Sequence, residues 1–305
     1  MGPTKTMITE LKSPQKTAKI GEAGFIVIGE RINPTRRKKL AEALVKGDME
    51  QVKADAVEQV QAGAHVLDVN VGAGGIDEAA TMDMAVRAVM SVADVPLCID
   101  SAKPDALEAG LRACAGRALV NSVNADPEKL KTILPLVKKY NAAVIGLAYD
   151  DKGISDNPEV RLAAVKTIVD AAAEFGIARE DIVIDCLAFS LGTNHRSAAI
   201  CLETMREVKA RFDLNMVLGV SNVSFGVPNR SDVNTVFLSQ CIANGLTCGI
   251  INPLDMNMMK AFLATELVLG RDKHSRNWNK FYRHGLALAE AAKAAAEGRQ
   301  PTSAS

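Results

Sequence analysis

Residues 25–33 read FIVIGERIN. Five apolar or small residues in a row leave no polar face to turn toward water. Such a run reads as a strand buried on both sides, which is the habit of a parallel sheet covered by helices. Seven further runs of this kind follow: HVLDVNV (65–71), PLCID (96–100), ALVNSV (118–123), AAVIGLA (142–148), IVIDC (182–186), MVLGVSN (216–222) and CGIIN (248–252). Their starts lie about 32 residues apart, the length of one βα unit.

The segments between them carry a helical period. Met49, Val52, Ala56 and Val60 share one face, as do Val160, Ala164, Ile168, Ala171 and Phe175. Pro104, Pro127 and Pro158 stand where a first-turn residue needs no N–H, and Asp126 and Asn157 precede the last two as caps. Eight successive α/β units predict a closed (β/α)8 TIM barrel over residues 24–270. An open doubly wound sheet is the rival, but no GxGxxG follows the first strand. The flanks are read as a polar N-terminal arm (1–23) and a C-terminal helical extension and tail (271–305). The extension holds an Ala-rich helix over 286–296, suited to a surface or subunit contact.

The 305 residues balance 36 Lys and Arg against 36 Asp and Glu, which excludes proteins that bind nucleic acid or anionic membranes through excess positive charge. Aromatic residues are 4% of the chain, so the core is aliphatic. Residues 1–24 hold no apolar run and no later stretch approaches roughly 18 apolar residues, so a cytoplasmic protein is expected. Gly2 and Thr6 fit an acylation pattern loosely, with Pro3 an awkward neighbour. Six cysteines contain no CxxC, and the carboxylates show no metal-ligand spacing, so no metal is expected.

A barrel of this type carries its chemistry at the C-terminal strand ends. Those ends hold Glu30, Arg31 and Asn33; Asp68 and Asn70; Asp100 and Ser101; Asn121, Ser122 and Asn124; Tyr149 and Asp150; Asp185; Ser221, Asn222 and Ser224; and Asn252. Carboxylates and carboxamides dominate, which does not suit a sugar phosphate. It suits a flat neutral heterocycle with N–H donors and ring-nitrogen acceptors, because a carboxylate accepts two parallel N–H bonds. Pterins and purines have that edge. Asp or Asn at a strand end also caps helices and forms turns, and Asp68, inside its run, suits packing as well as ligand contact. His65 and His195 read as structural or solvated. The basic run Arg36, Arg37, Lys38 and Lys39 reads as a solvated helix start, or as facing a polyglutamylated folate tail or an acidic partner.

At these strand ends, IGERIN (28–33), LDVNVG (67–72), LCIDS (97–101), VNSVN (120–124), VIDCL (183–187) and LGVSNVSFGVPNR (218–230) resemble the pterin-binding methyltransferase family. That family comprises the methyltetrahydrofolate–corrinoid protein methyltransferases and the folate-binding module of cobalamin-dependent methionine synthase. The resemblance implies a dihydropteroate-synthase-like barrel. It implies methyl transfer between the position-5 nitrogen of tetrahydrofolate (5-methyltetrahydrofolate when methylated) and the cobalt of a corrinoid (cobalamin) on a partner protein. Asp100, Asn121 and Asp185 would grip the pterin, Asn222 would hydrogen-bond the position-5 nitrogen, and Arg230 would help hold the ligand. Phe225 stands where the corrinoid–iron–sulfur branch has Gln, as in the methionine synthase branch. A homodimer is implied, with transfer from methyl-corrinoid to tetrahydrofolate in a demethylation pathway. The alternatives are a dihydropteroate synthase, which would show basic residues at its late strands, and a folate-binding module without turnover.

Overall fold

The computed structural model describes residues 7–22 and 24–283. An antiparallel hairpin comes first, β1 (Thr9–Lys12) and β2 (Thr17–Ile20). Eight strands follow: β3 (Ile26–Ile32), β4 (Val66–Asn70), β5 (Leu97–Asp100), β6 (Leu119–Asn124), β7 (Ala143–Leu147), β8 (Ile182–Asp185), β9 (Asn215–Val217) and β10 (Cys248–Ile251). All pair in parallel in chain order, and β10 returns to β3 with Cys248 opposite Ile26. A bridge between Gly219 and Ile250 closes the remaining seam, with the Ile250 N–H donating to the Leu218 carbonyl at 3.0 Å. Every predicted run except the seventh is a strand over most of its length. The run expected over 216–222 stops at Val217 and turns into a 3-10 helix, Val220–Ser224.

The wall of helices comprises α1 (Lys38–Val45), α2 (Glu50–Gln61), α3 (Glu78–Val92), α4 (Pro104–Ala113), α5 (Pro127–Lys139), α6 (Pro158–Glu174), α7 (Ser197–Phe212), α8 (Arg230–Ala243) and α9 (Met256–Val268). Local chemistry sets their starts as read. Pro104, Pro127 and Pro158 are first-turn residues, while Asp126 and Asn157 accept the N–H of Glu128 at 2.9 Å and of Glu159 at 3.0 Å. The buried face of α6 is centred on Leu162, Val165, Ile168 and Ala172, so Val160, expected on that face, is exposed instead.

The two-residue period of each strand sorts its side chains. Val27, Leu67, Ile99, Val120, Val144 and Ile184 point outward into the helix layer. Ile28, Val66, Cys98, Leu119, Ala143, Ile145, Val183, Val217 and Cys248 point inward and form a second cluster with Leu11, Ala18 and Ile20 of the hairpin. The hairpin thus seals the lower, N-terminal end of the barrel, within the segment expected as a polar arm over 1–23. Only three apolar side chains in two four-residue strands face the barrel, too few to lift the segment above its polar average. Asn215 fastens it by donating to the carbonyl of Ile20 at 3.1 Å and to Thr9 Oγ1 at 3.0 Å.

After α9 the chain makes a 3-10 turn, Lys273–Ser275, and a helix begins at 276. Asp272 caps this helix by accepting the N–H groups of Asn277 and Trp278, and Trp278 and Phe281 pack against the core. The Ala-rich stretch 286–296 and the Gly2–Thr6 pattern lie outside the described residues. Five of the six cysteines are buried thiols, and Cys114 is half-buried. No described helix is long and apolar enough to cross a membrane.

Candidate functional site

Continuing up the strands with the same period, the inward positions change from apolar to polar at one level. Glu30 follows Ile28, Asp68 follows Val66, Asp100 follows Cys98, Asn121 follows Leu119 and Asp185 follows Val183. Above them opens a cavity of about 480 Å³ whose lining includes these five residues together with Asn222, Phe225 and Arg230. All five residues expected on sequence grounds to hold a ligand, Asp100, Asn121, Asp185, Asn222 and Arg230, therefore meet in one place. A larger cavity of about 670 Å³ lies outside the barrel wall, between α2, α9 and the segment after α9, away from the strand ends.

The floor is a network of acids and amides. Asn70 donates to Asp100 Oδ2 at 2.9 Å, and Asn121 donates to Asp68 Oδ1 at 3.2 Å. Asp68 is buried, and burial together with the neighbouring Asp100 charge holds its carboxyl well above the ordinary carboxylate range. Burial raises Asp100 to about 6 against the pull of the Asn70 hydrogen bond. Burial likewise raises Asp185 to about 6, opposed by the N–H groups of Leu187 and Gly219 and by Arg161. Glu30 rises to about 7 by burial, opposed by the charges of Arg230 and Arg31. These acids are short of donors, so a ligand presenting N–H groups would favour their ionised forms.

The rim is built by the loop that replaces the end of the expected seventh strand. Asn222 is exposed on the 3-10 turn and folds over Gly219, where a Cβ would lie 3.0 Å from its Nδ2. Arg230, at the start of α8, braces the turn from behind: its Nε donates to Ser224 Oγ at 2.9 Å and its Nη2 to the Ser221 carbonyl at 2.7 Å. The Arg230 guanidinium carbon also lies 4.5 Å from the centroid of Phe225, and that of Arg36 lies 4.6 Å from it.

The GERIN segment is supported from α2. Gln59 accepts the Arg31 N–H at 2.8 Å, reaching across Gly29, where a Cβ would stand 2.5 Å from its Oε1. β3 shifts register between Gly29 and Ile32 at this point. The basic run divides by neighbour. Arg37 forms a two-pronged ion pair with buried Asp55, with Nη2 to Oδ1 at 2.9 Å. Lys38 and Lys39 are exposed, and Arg36 faces the cavity.

Other strand-end residues serve structure. Ser101 donates to Glu78, Asp150 accepts the Lys152 N–H at 3.0 Å in a turn, and Asn124 is buried away from the mouth. His195 is exposed outside the cavity, and His65 accepts the Val27 N–H on Nδ1 at 3.0 Å. Glu30, Asn70 and Asn252 carry no assigned role on sequence grounds, although the inward parity of each strand would single them out.

A family model described as pterin binding enzyme matches residues 29–252. Over 269 residues the chain is 30% identical to a methylcorrinoid:tetrahydrofolate methyltransferase of Eubacterium limosum, covering 86% of this chain and 97% of that protein. It is 32% identical over 244 residues to a methionine synthase of Mycobacterium tuberculosis, covering 76% of this chain but 20% of that longer protein. Among solved structures, dihydropteroate synthase of Yersinia pestis superposes with a TM-score of 0.64 at 18% identity, over 87% of this chain and 100% of that one. The Xanthomonas albilineans dihydropteroate synthase in complex with 7,8-dihydropteroate gives 0.66 at 16% identity, over 85% and 98%. At those identities the likeness is one of fold.

Proposed function

The chain belongs to the pterin binding enzyme family, and on that premise we propose that it moves a methyl group between the cobalt of a corrinoid on a partner protein and the position-5 nitrogen of tetrahydrofolate. The observation that carries this reading is the single polar level inside the barrel, where Asp68, Asp100, Asn121 and Asp185 converge beneath Asn222. The aminopyrimidinone edge of a pterin offers the N–H donors these acids lack, and Asp100, Asn121 and Asp185 hold that edge. Arg230 fixes the turn carrying Asn222 and helps hold the ligand.

The chemistry asked of the side chains is placement. A corrinoid supplies a cobalt centre that gives up or receives a methyl group by in-line displacement, so the difficult step belongs to the cofactor. Asn222 orients the position-5 amine for attack on a methyl donor. In the opposite direction its carboxamide hydrogen-bonds the departing amine, although it is not a titrating acid. The working direction is methyl-corrinoid to tetrahydrofolate, which the similarity to the methylcorrinoid:tetrahydrofolate methyltransferase of Eubacterium limosum supports, and its place is downstream of a demethylation reaction. The catalytic unit is the barrel of residues 24–270, in a cytoplasmic homodimer, with the corrinoid protein docking over the open mouth.

The test is spectroscopic: methyl-cob(III)alamin with tetrahydrofolate, and cob(I)alamin with methyltetrahydrofolate, each followed through the cobalt absorption bands. Protein-dependent conversion in either direction is the expected result. Absence of conversion in both, with a folded protein and a supplied corrinoid protein, would overturn the reading.

A further inference from the structure

The largest fully buried side chain among the described residues is a cation. Arg161, one turn into α6, is 1% exposed, yet no acid among the described residues forms an ion pair with it. An unpaired buried charge is costly, so hydrogen bonds must compensate it. They run to three carbonyls on two loops. Nε donates to Ser155 at 2.7 Å, in the loop after β7, while Nη1 donates to Cys186 at 2.7 Å and to Leu187 at 3.0 Å, in the loop after β8. A guanidinium presents its donors as a rigid planar fork, which three converging carbonyls match and a single ammonium does not.

The backbone held in this way is strained. Leu187 takes the left-handed conformation at φ 64, which a bulky residue rarely adopts. Its N–H is donated to Asp185 Oδ1 at 2.7 Å. The peptide unit joining Cys186 to Leu187 is therefore held at both ends, its carbonyl by Arg161 and its N–H by Asp185. One peptide stands between a buried guanidinium and a carboxylate on the floor of the mouth.

Asp185 lines the cavity and Arg161 does not. Resting on the folate reading above, we propose that Arg161 is a positioning residue for the pterin site: through the Cys186–Leu187 peptide it fixes the orientation in which Asp185 meets the ligand, without touching the ligand itself. The three carbonyl bonds hold a turn that Leu187 would otherwise leave, and the turn holds the carboxylate. A second tie between the same two loops, Asn194 Nδ2 to Asp156 Oδ2 at 2.8 Å, has no such connection to the floor.

The test is a double-mutant cycle read as dissociation constants for tetrahydropterin, on variants whose folded fraction is measured by urea unfolding. Arg161→Lys keeps the charge but loses the fork, and should weaken binding about tenfold, within the range for neighbours in one network. In an Asp185→Asn background the same substitution should cost less than about twofold, because the group through which it acts is already altered. Leu187→Gly should restore most of the affinity that Arg161→Lys loses, since glycine keeps a left-handed turn without support. Asn194→Ala should leave affinity unchanged. Native affinity in Arg161→Lys, an equal loss with and without the Asp185 carboxylate, or the same loss in Asn194→Ala would overturn the proposal. Should Arg161→Lys not fold alone, Leu187→Gly is compared with the Arg161→Lys/Leu187→Gly pair; the two should bind alike, and a tenfold gap between them would equally overturn it. A native protein that binds no tetrahydropterin removes the folate reading and this proposal together, whereas native binding with additive variants removes this proposal alone.

Discussion

Replacing Asp185 by Asn should make the protein more stable at neutral pH while weakening its grip on a pterin. In the fold, burial lifts this carboxyl from the ordinary 3.8 to about 6. The folded state therefore holds the proton more tightly than the unfolded chain, and stability falls as pH rises through that window and is flat above it. The full difference is worth about 3 kcal/mol of destabilisation at about pH 8 and roughly half of that at about pH 5. An amide carries no such penalty. It keeps an oxygen for the Leu187 N–H, which Asp185 now accepts at 2.7 Å, but it forfeits the charge facing the Gly219 N–H, a loss of about 1 kcal/mol. The net expectation is a gain of about 2 kcal/mol at about pH 8, shrinking to nearly nothing at about pH 5 and turning into a small loss below. Urea unfolding of both proteins across that range measures it. A variant less stable at pH 8, or a difference that does not change with pH, would refute the claim that Asp185 is an ion held against its solvation. Pterin affinity should drop about 10- to 100-fold, because one N–H of the ligand loses a charged acceptor.

Asn222→Ala should lower methyl transfer by about 10²-fold, the scale for losing one oriented donor, with folate binding affected less; an unchanged rate in single-turnover assays would remove Asn222 from the mechanism. Gly29→Ala places a methyl group where Gln59 now stands, and should destabilise by about 1–3 kcal/mol in urea unfolding, while weakening pterin binding through the displaced Arg31 segment. Leu11→Ala, at the sealed lower end, should cost about 2–5 kcal/mol without altering the transfer rate of the molecules that remain folded, as unfolding and activity measured on the same samples would reveal.

The barrel was legible because its strands are buried on both faces, which leaves unbroken apolar runs such as FIVIG and CGII that no half-exposed strand would produce, and because those runs recur at the spacing of βα units. The floor of the site was legible for a related reason: one acid directly after such a run can be a turn-former, as Asp185 partly is for Leu187, but polar residues after several such runs point to one shared level. What the sequence hid depends on partners far along the chain. Glu30 looked no different from Arg31 until the inward parity of β3 was known, and the four basic residues 36–39 look alike until Asp55 claims Arg37 and Phe225 meets Arg36. The early end of β9 was obscured because VLGVSN is apolar enough to continue a strand, while the turn holding Asn222 depends on Arg230 bracing it. The hairpin escapes the sequence pattern because its strands are short, with one apolar residue in TELK and two in TAKI.

That hairpin sets an order of events during synthesis. Residues 9–20 are made before any barrel strand, yet their seat is the combined lower ends of strands as late as β10. The Asn215 bonds that fasten them span 195 to 206 positions of sequence. For most of translation Leu11 and Ile20 therefore have nothing to bind, and contacts of such long range form late. On stalled nascent chains, a protease should cut within 9–20 when the chain ends before β10 and spare that segment once β10 has emerged; equal cutting of both would contradict this order. A chain missing its last strand thus differs from a finished one at its opposite end, so the oldest part of the molecule reports whether the youngest has arrived.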